Sequence, residues 1–179
     1  MGWIGIVLAA IAVPGIRRSI DQQRTVGAVR YLATQCARAR MVAITQGRDV
    51  ALQFTGGVGG YTFAMYADGN GDGVRTRDIE RGVDVALSRR EQLSSVFAGV
   101  SFGVPAGLPP VDTGPPTDGD PLKLGAGNLL SFSARGTSSS GSLYVRGETG
   151  AQYVLRAYGE TGKTRVLAYD PRSRTWRLR

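Results

Sequence analysis

From Trp3 to Val13 (WIGIVLAAIAV) every position is apolar or glycine, and Pro14 closes the run. Beyond it the pattern mixes. Ile16, Ile20, Val26, Val29, Leu32, Ala33, Cys36, Ala39, Ala43 and Ile44 recur at helical spacing, with Arg17, Arg18, Asp21, Arg24, Arg30, Arg38 and Arg48 around them. This periodicity predicts one helix running to about Gly47. At 1.5 Å per residue some 45 residues would measure about 70 Å, more than the width of a small domain, so part of the helix must protrude. Its N-terminal half is apolar all round with nothing local to bury it, while its C-terminal half has a single apolar side. Pro14 should kink or locally melt the helix, and Gly15 adds slack. The run is shorter than the roughly 20 residues a bilayer requires. It also lacks the basic start and small-residue cleavage site of a secretory signal. A core helix, an interfacial anchor and the end of a longer membrane segment all fit it.

After Gly47 the period changes from helical to alternating. Asp49 to Thr55 and Tyr61 to Ala67 read as a hairpin across the glycine-rich loop 56–60. Further strands are predicted at Val83–Leu87, Val96–Phe102, Leu129–Phe132, Ser142–Val145, Gln152–Tyr158, Thr164–Tyr169 and Thr175–Leu178. Their spacing suggests two antiparallel sheets, each with one face against the helix or the other sheet. Six of the eight prolines lie between Pro105 and Pro121, which marks 104–121 as a long, irregular, mobile loop. The chain therefore divides into a helix at 1–47 (1–15 apolar, 16–47 amphipathic) and a β-rich head at 48–179. The fold class is α+β.

Composition narrows the chemistry. The 179 residues have no histidine and one cysteine, which excludes a Ser-His-Asp or Cys-His site and any intrachain disulfide. Cys36 falls on the apolar stripe and should behave as a small buried hydrophobe. The 22 Lys+Arg against 14 Asp+Glu leave a net charge of +8, which suits lipid headgroups or nucleic acid as a partner as well as a plain solvated surface. No acid/base pair or nucleophile constellation emerges, so an enzyme is not expected.

Four segments imitate known sites. Asp68-Gly69-Asn70-Gly71-Asp72-Gly73 has the oxygen spacing of a calcium loop, with the Val74 carbonyl and Thr76 in the next ligand positions. Ile79 stands where a bidentate glutamate belongs, flanked by Asp78 and Glu80. Asp68, Asn70, Asp72, Val74 and Asp78 are thus the candidate calcium ligands, against a turn in which Asp and Asn cap their own backbone. Gly159-Glu160-Thr161-Gly162-Lys163-Thr164 imitates a phosphate-binding loop, but Ala157 replaces the first glycine and a strand follows, so a hairpin turn is expected. Thr137-Ser138-Ser139-Ser140-Gly141 has hydroxyls without a flanking base and reads as turn chemistry. The tail groups Arg172, Arg174, Arg177 and Arg179 around Trp176. That composition suits single-stranded nucleic acid, or a last strand with Trp176 and Leu178 facing in and the arginines wet or near anionic lipid.

The stretch Ala9-Ala10-Ile11-Ala12-Val13-Pro14-Gly15-Ile16 resembles the membrane-proximal helix of type IV pilins and type II secretion pseudopilins. The head is similar to that of the minor pseudopilin H / FimT-FimU group in its acidic loop 67–73, its segment 130–137 (LSFSARGT) and its closing hairpin 165–170 with Thr175-Trp176. The resemblance implies a pilin-like fold and a structural role. The chain would be a minor subunit of the periplasmic pseudopilus, anchored once in the bacterial inner membrane with its head in the periplasm. Its partners would be other major and minor pseudopilins and secreted proteins. The assembly residues would be Trp3, Ile4, Ile6, Val7, Leu8, Ile11, Val13 and Pro14. The alternative is a minor type IV pilin that binds DNA during uptake through Arg172, Arg174, Trp176, Arg177 and Arg179. Such proteins open with a short basic leader ending in glycine and then Phe-Thr-Leu-Ile-Glu, none of which precedes Trp3. The expectation is a start assigned too late or an altered member, and no glutamate here takes the family's assembly role.

Overall fold

The computed structural model describes the backbone from Trp3 to Arg179 and side-chain surroundings from Gly15 onward. Helix α1 (Trp3–Gln46) is the long predicted helix, and it includes Pro14 without ending there. The eight assembly residues from Trp3 to Pro14 lie outside the residues whose side chains are described. Gly15 to Ile20 are all exposed, so α1 stands clear of the head at that level. It engages the head from Asp21 onward.

Two antiparallel sheets form the head. In the first, β1 (Val50–Gly57) pairs with β2 (Gly60–Ala67) in the expected hairpin, and the short β3 (Val85–Ala86) and β4 (Glu91–Gln92) both pair with β2. Its other edge is β7 (Leu129–Phe132), alongside β1. The second sheet runs β11-β10-β9-β8-β5, formed by β11 (Thr175–Leu178), β10 (Lys163–Asp170), β9 (Gln152–Tyr158), β8 (Gly141–Gly147) and β5 (Val100–Phe102); β6 (Leu122–Lys123) also pairs with β8. The polar tract after β7 joins the sheets: Phe132 bridges Ser138, and the Ser139 N–H donates to the Ser131 carbonyl.

The core lies where both sheets meet α1. Ala28, Val29, Leu32, Cys36, Ala39 and Ala43 of the helix are fully buried against Leu52, Phe54, Leu130 and Phe132 of one sheet and Leu143, Val145 and Leu155 of the other. Small residues dominate the helix side of this contact, which lets the backbone approach the sheets closely. Phe54, Phe63 and Phe102 close one end, with Phe54 and Phe102 edge to face at 5.5 Å between ring centroids.

Alternation is incomplete in β1 and β8, because long loops cover the outer faces too. On the first sheet Val74 and Ile79 pack over Ala51, Ala64 and Tyr66. On the second, Val104, Leu108 and Val111 cover Tyr144, Val154 and Trp176. The 104–121 segment is therefore irregular, as predicted, yet it is seated on the sheet instead of hanging free.

Several elements differ from expectation. The strand predicted at Val96–Phe102 forms only over its last three residues, as β5, because Val96 ends a helical turn, α3 (Leu93–Val96), whose Leu93 is buried in the core. Val83–Leu87 shrinks to the two residues of β3, and α2 (Thr76–Glu80), β4 and β6 were not anticipated. Ile20 and Ile44, assigned to the buried stripe, are each 43% exposed.

Candidate functional site

The base of the head is organised by Asp21. This carboxylate sits on the buried stripe one turn before Thr25 and is almost wholly covered. It accepts the backbone N–H groups of Glu148 (2.9 Å) and Thr149 (3.0 Å) and the Thr149 hydroxyl, all from the turn between β8 and β9. Gly147 makes this approach possible, since a Cβ there would lie 2.5 Å from either Asp21 oxygen and 2.4 Å from Thr25 Oγ1. Asp21 therefore ends the apolar contact between helix and sheet and marks where α1 leaves the head. Sequence reasoning counted it among the surrounding charges. Positions 21, 25, 28, 32, 36, 39 and 43 form one helical stripe, and that period held the signal.

The Asp68 loop is built on hydrogen bonds to its own backbone. Asp68 Oδ1 accepts the N–H groups of Asn70 (3.0 Å) and Gly71 (2.8 Å), and Oδ2 that of Gly73 (2.9 Å). Burial alone would raise its carboxyl, but these backbone donors more than offset that and hold it below the ordinary carboxylate range. Asn70 Oδ1 accepts from the Asp72 N–H, and Asp72 itself pairs with Arg75 at 2.7 Å. Val74 is packed on the sheet, and Asp78 is buried in α2, where Oδ1 faces Arg77 Nε at 3.3 Å. A carboxylate missed in the sequence, Asp84, closes the loop by accepting from Gly69 and Arg75 N–H groups. Among the described residues no group of three or more His, Cys, Asp or Glu side chains is placed to hold a metal ion. Asp68 and Asn70 thus cap their own backbone in the manner of an Asp/Asn turn.

The C-terminal strand places its residues on opposite faces. Trp176 lies half-buried on the outer face, its Nε1–H donating to the Pro109 carbonyl at 2.9 Å and its ring against Tyr144 and Tyr169. It faces away from the helix-side core, and Leu178 on the same face is 64% exposed, contrary to the inward orientation expected for both. Arg177 is paired with Asp170 at 3.0 Å, while Arg172, Arg174 and Arg179 are exposed. The tail thus keeps its cations, but its one tryptophan is occupied by the proline-rich loop.

The remaining imitations are turns. Gly159 to Gly162 joins β9 to β10, and Ser138 and Ser139 serve the junction between sheets. Cys36 is fully buried, which pushes its thiol up to about 12 and makes it inert at neutral pH.

Among the described residues no helix is long and apolar enough to cross a membrane. No family model, curated protein or solved structure matches this chain, so its architecture stands as a long helix packed on antiparallel sheets, consistent with a pilin-like fold.

Proposed function

We propose that this protein is a structural subunit, a minor pseudopilin that assembles into the periplasmic pseudopilus of a type II secretion system. One observation carries the reading: a 44-residue helix has its C-terminal half built into the head, while Gly15 to Ile20 are exposed on every side. The apolar run preceding that exposed stretch has seven large hydrophobes (Trp3, Ile4, Ile6, Val7, Leu8, Ile11 and Val13). At about 1.5–3 kcal/mol each, moving them from water into lipid or a bundle of sister helices is worth on the order of 10–20 kcal/mol. Anchorage in the inner membrane followed by helix bundling in the filament uses that energy. The head, in the periplasm, then presents its loops to neighbouring major and minor subunits and to secreted proteins. The DNA-uptake alternative retains exposed arginines but has no free aromatic side chain in the tail for base stacking.

Replacing Ile6 and Ile11 together by arginine tests the reading. Wild type should sediment with membranes until detergent is added and restore secretion to a strain lacking the gene. The double variant should be released and fail to restore it. A wild-type protein that stays monomeric in the detergent-free supernatant refutes the proposal.

A further inference from the structure

The end of the head from which α1 emerges is ringed by arginines drawn from two distant parts of the chain. Ala168 pairs with Tyr153, so the end of β10 lies beside the start of β9. The turn preceding β9 is held to Asp21 of α1. The turn 171–174 between β10 and β11 therefore shares this end with residues 17–24 of the helix. A cleft of about 450 Å³ confirms the juxtaposition: Arg18 and Gln22 form one wall, and Tyr169, Pro171 and Arg179 another. Arg17, Arg18, Arg24, Arg172, Arg174 and Arg179 are exposed, and among the described residues none makes an ion pair. The acidic groups nearby are few. Asp21 is saturated by N–H donors and Asp170 is engaged by Arg177, which leaves Glu148 alone facing Arg17 and Arg24. Exposed Ile16 lies between the cations and the apolar run.

We propose that this basic collar is a docking surface for the phosphodiester headgroups of an anionic bilayer, seating the base of the head on the membrane. The inference rests on the reading that the apolar half of α1 enters lipid. Arg17 and Arg18 follow Val13 by four and five residues, about 6–8 Å along the helix, and the headgroup layer beyond the hydrocarbon is about 5–8 Å deep. Cations at that depth meet phosphates while Ile16 meets the acyl boundary. Tyr169 of the cleft suits the same interface, where amphipathic aromatic rings collect.

The test is flotation of the full chain with vesicles of phosphatidylcholine alone or mixed with phosphatidylglycerol. Wild type is compared with Arg18→Gln/Arg172→Gln/Arg174→Gln/Arg179→Gln, and with a control of equal charge loss elsewhere, Arg38→Gln/Arg89→Gln/Arg90→Gln/Arg135→Gln. Each collar arginine near an anionic surface contributes about fivefold, so the first variant should lose on the order of a hundredfold or more of its preference for phosphatidylglycerol. The control should lose far less, and added salt should erase the wild-type preference. Retention of Cys36 protection from thiol reagents certifies that each variant is folded. Equal loss in both variants, or no preference for phosphatidylglycerol in a wild type that binds phosphatidylcholine, overturns the collar and leaves membrane anchorage intact. Wild type that binds neither vesicle removes the anchorage reading and the collar with it. Collar-dependent affinity for duplex DNA without affinity for phosphatidylglycerol also overturns the proposal, in favour of nucleic acid.

Discussion

Replacing Asp21 by alanine should loosen the helix from the base of the head. The wild-type carboxylate accepts two backbone N–H groups, from Glu148 and Thr149, and the Thr149 hydroxyl. The hydroxyl can turn to water, but the two amides are fixed by the β8–β9 turn, which is itself exposed. Charge-assisted bonds of this kind are worth about 1.5–3 kcal/mol each, and the lower figure applies where the donors belong to an exposed turn, so the loss is about 3 kcal/mol. Asp21→Asn keeps one acceptor and should cost about half as much. Amide hydrogen exchange on the full chain in detergent reads this directly: Glu148 and Thr149 should lose protection first, with a lowered urea midpoint. Asp118→Ala, at an exposed ion pair with Lys123, is the reference and should change little. If Asp21→Ala unfolds at the reference midpoint with both amides still protected, the carboxylate is not what holds this turn to the helix.

Three further outcomes follow from the loops and the core. Gly69→Ala would set a Cβ 1.9 Å from the Val83 carbonyl oxygen, so the 68–84 loop must open, at about 1–3 kcal/mol, visible as new proteolytic nicking within it. Asp68 has a lowered folded carboxyl, so its contribution is complete above the ordinary carboxylate value of about 4 and is lost as pH falls through the folded value. The gap in urea midpoint between wild type and Asp68→Asn should be constant near neutrality and close on acidification; a gap that widens there would reverse the sign argued for this group. Cys36 should resist thiol reagents at neutral pH until the helix leaves the sheets, so its labelling rate should rise in step with urea unfolding.

The parts of this fold legible in sequence were those governed by a single period. The stripe from Val29 to Ala43 and the hairpin β1–β2 follow helical and alternating rules closely, and both appear where expected. Elements decided by distant partners were not legible. Leu93 becomes helical because the core claims its side chain, and β3, β4 and β6 are each two residues long, below any periodic signal. The loop 104–121 looked unattached because its apolar residues are isolated among prolines, yet three of them suffice to cover the second sheet. At the base, a carboxylate on the buried stripe was discounted because it was polar, and its N–H donors lie 127 and 128 residues away. The calcium spacing read from the Asp68 loop describes ligand order along the chain but not where the oxygens point.

The outermost strand of the larger sheet has one further consequence. The Arg179 N–H bonds back to the Val166 carbonyl, so by alternation Trp176 and Leu178 turn their own N–H and C=O groups outward, unmatched. Such a rim ordinarily invites a stranger's strand. A second copy arriving side-on would bring Arg174 and Arg179 against the same two cations, unpaired among the described residues, and the mutual repulsion would turn it away. The head therefore carries its own bumper against runaway ribbon growth along this rim.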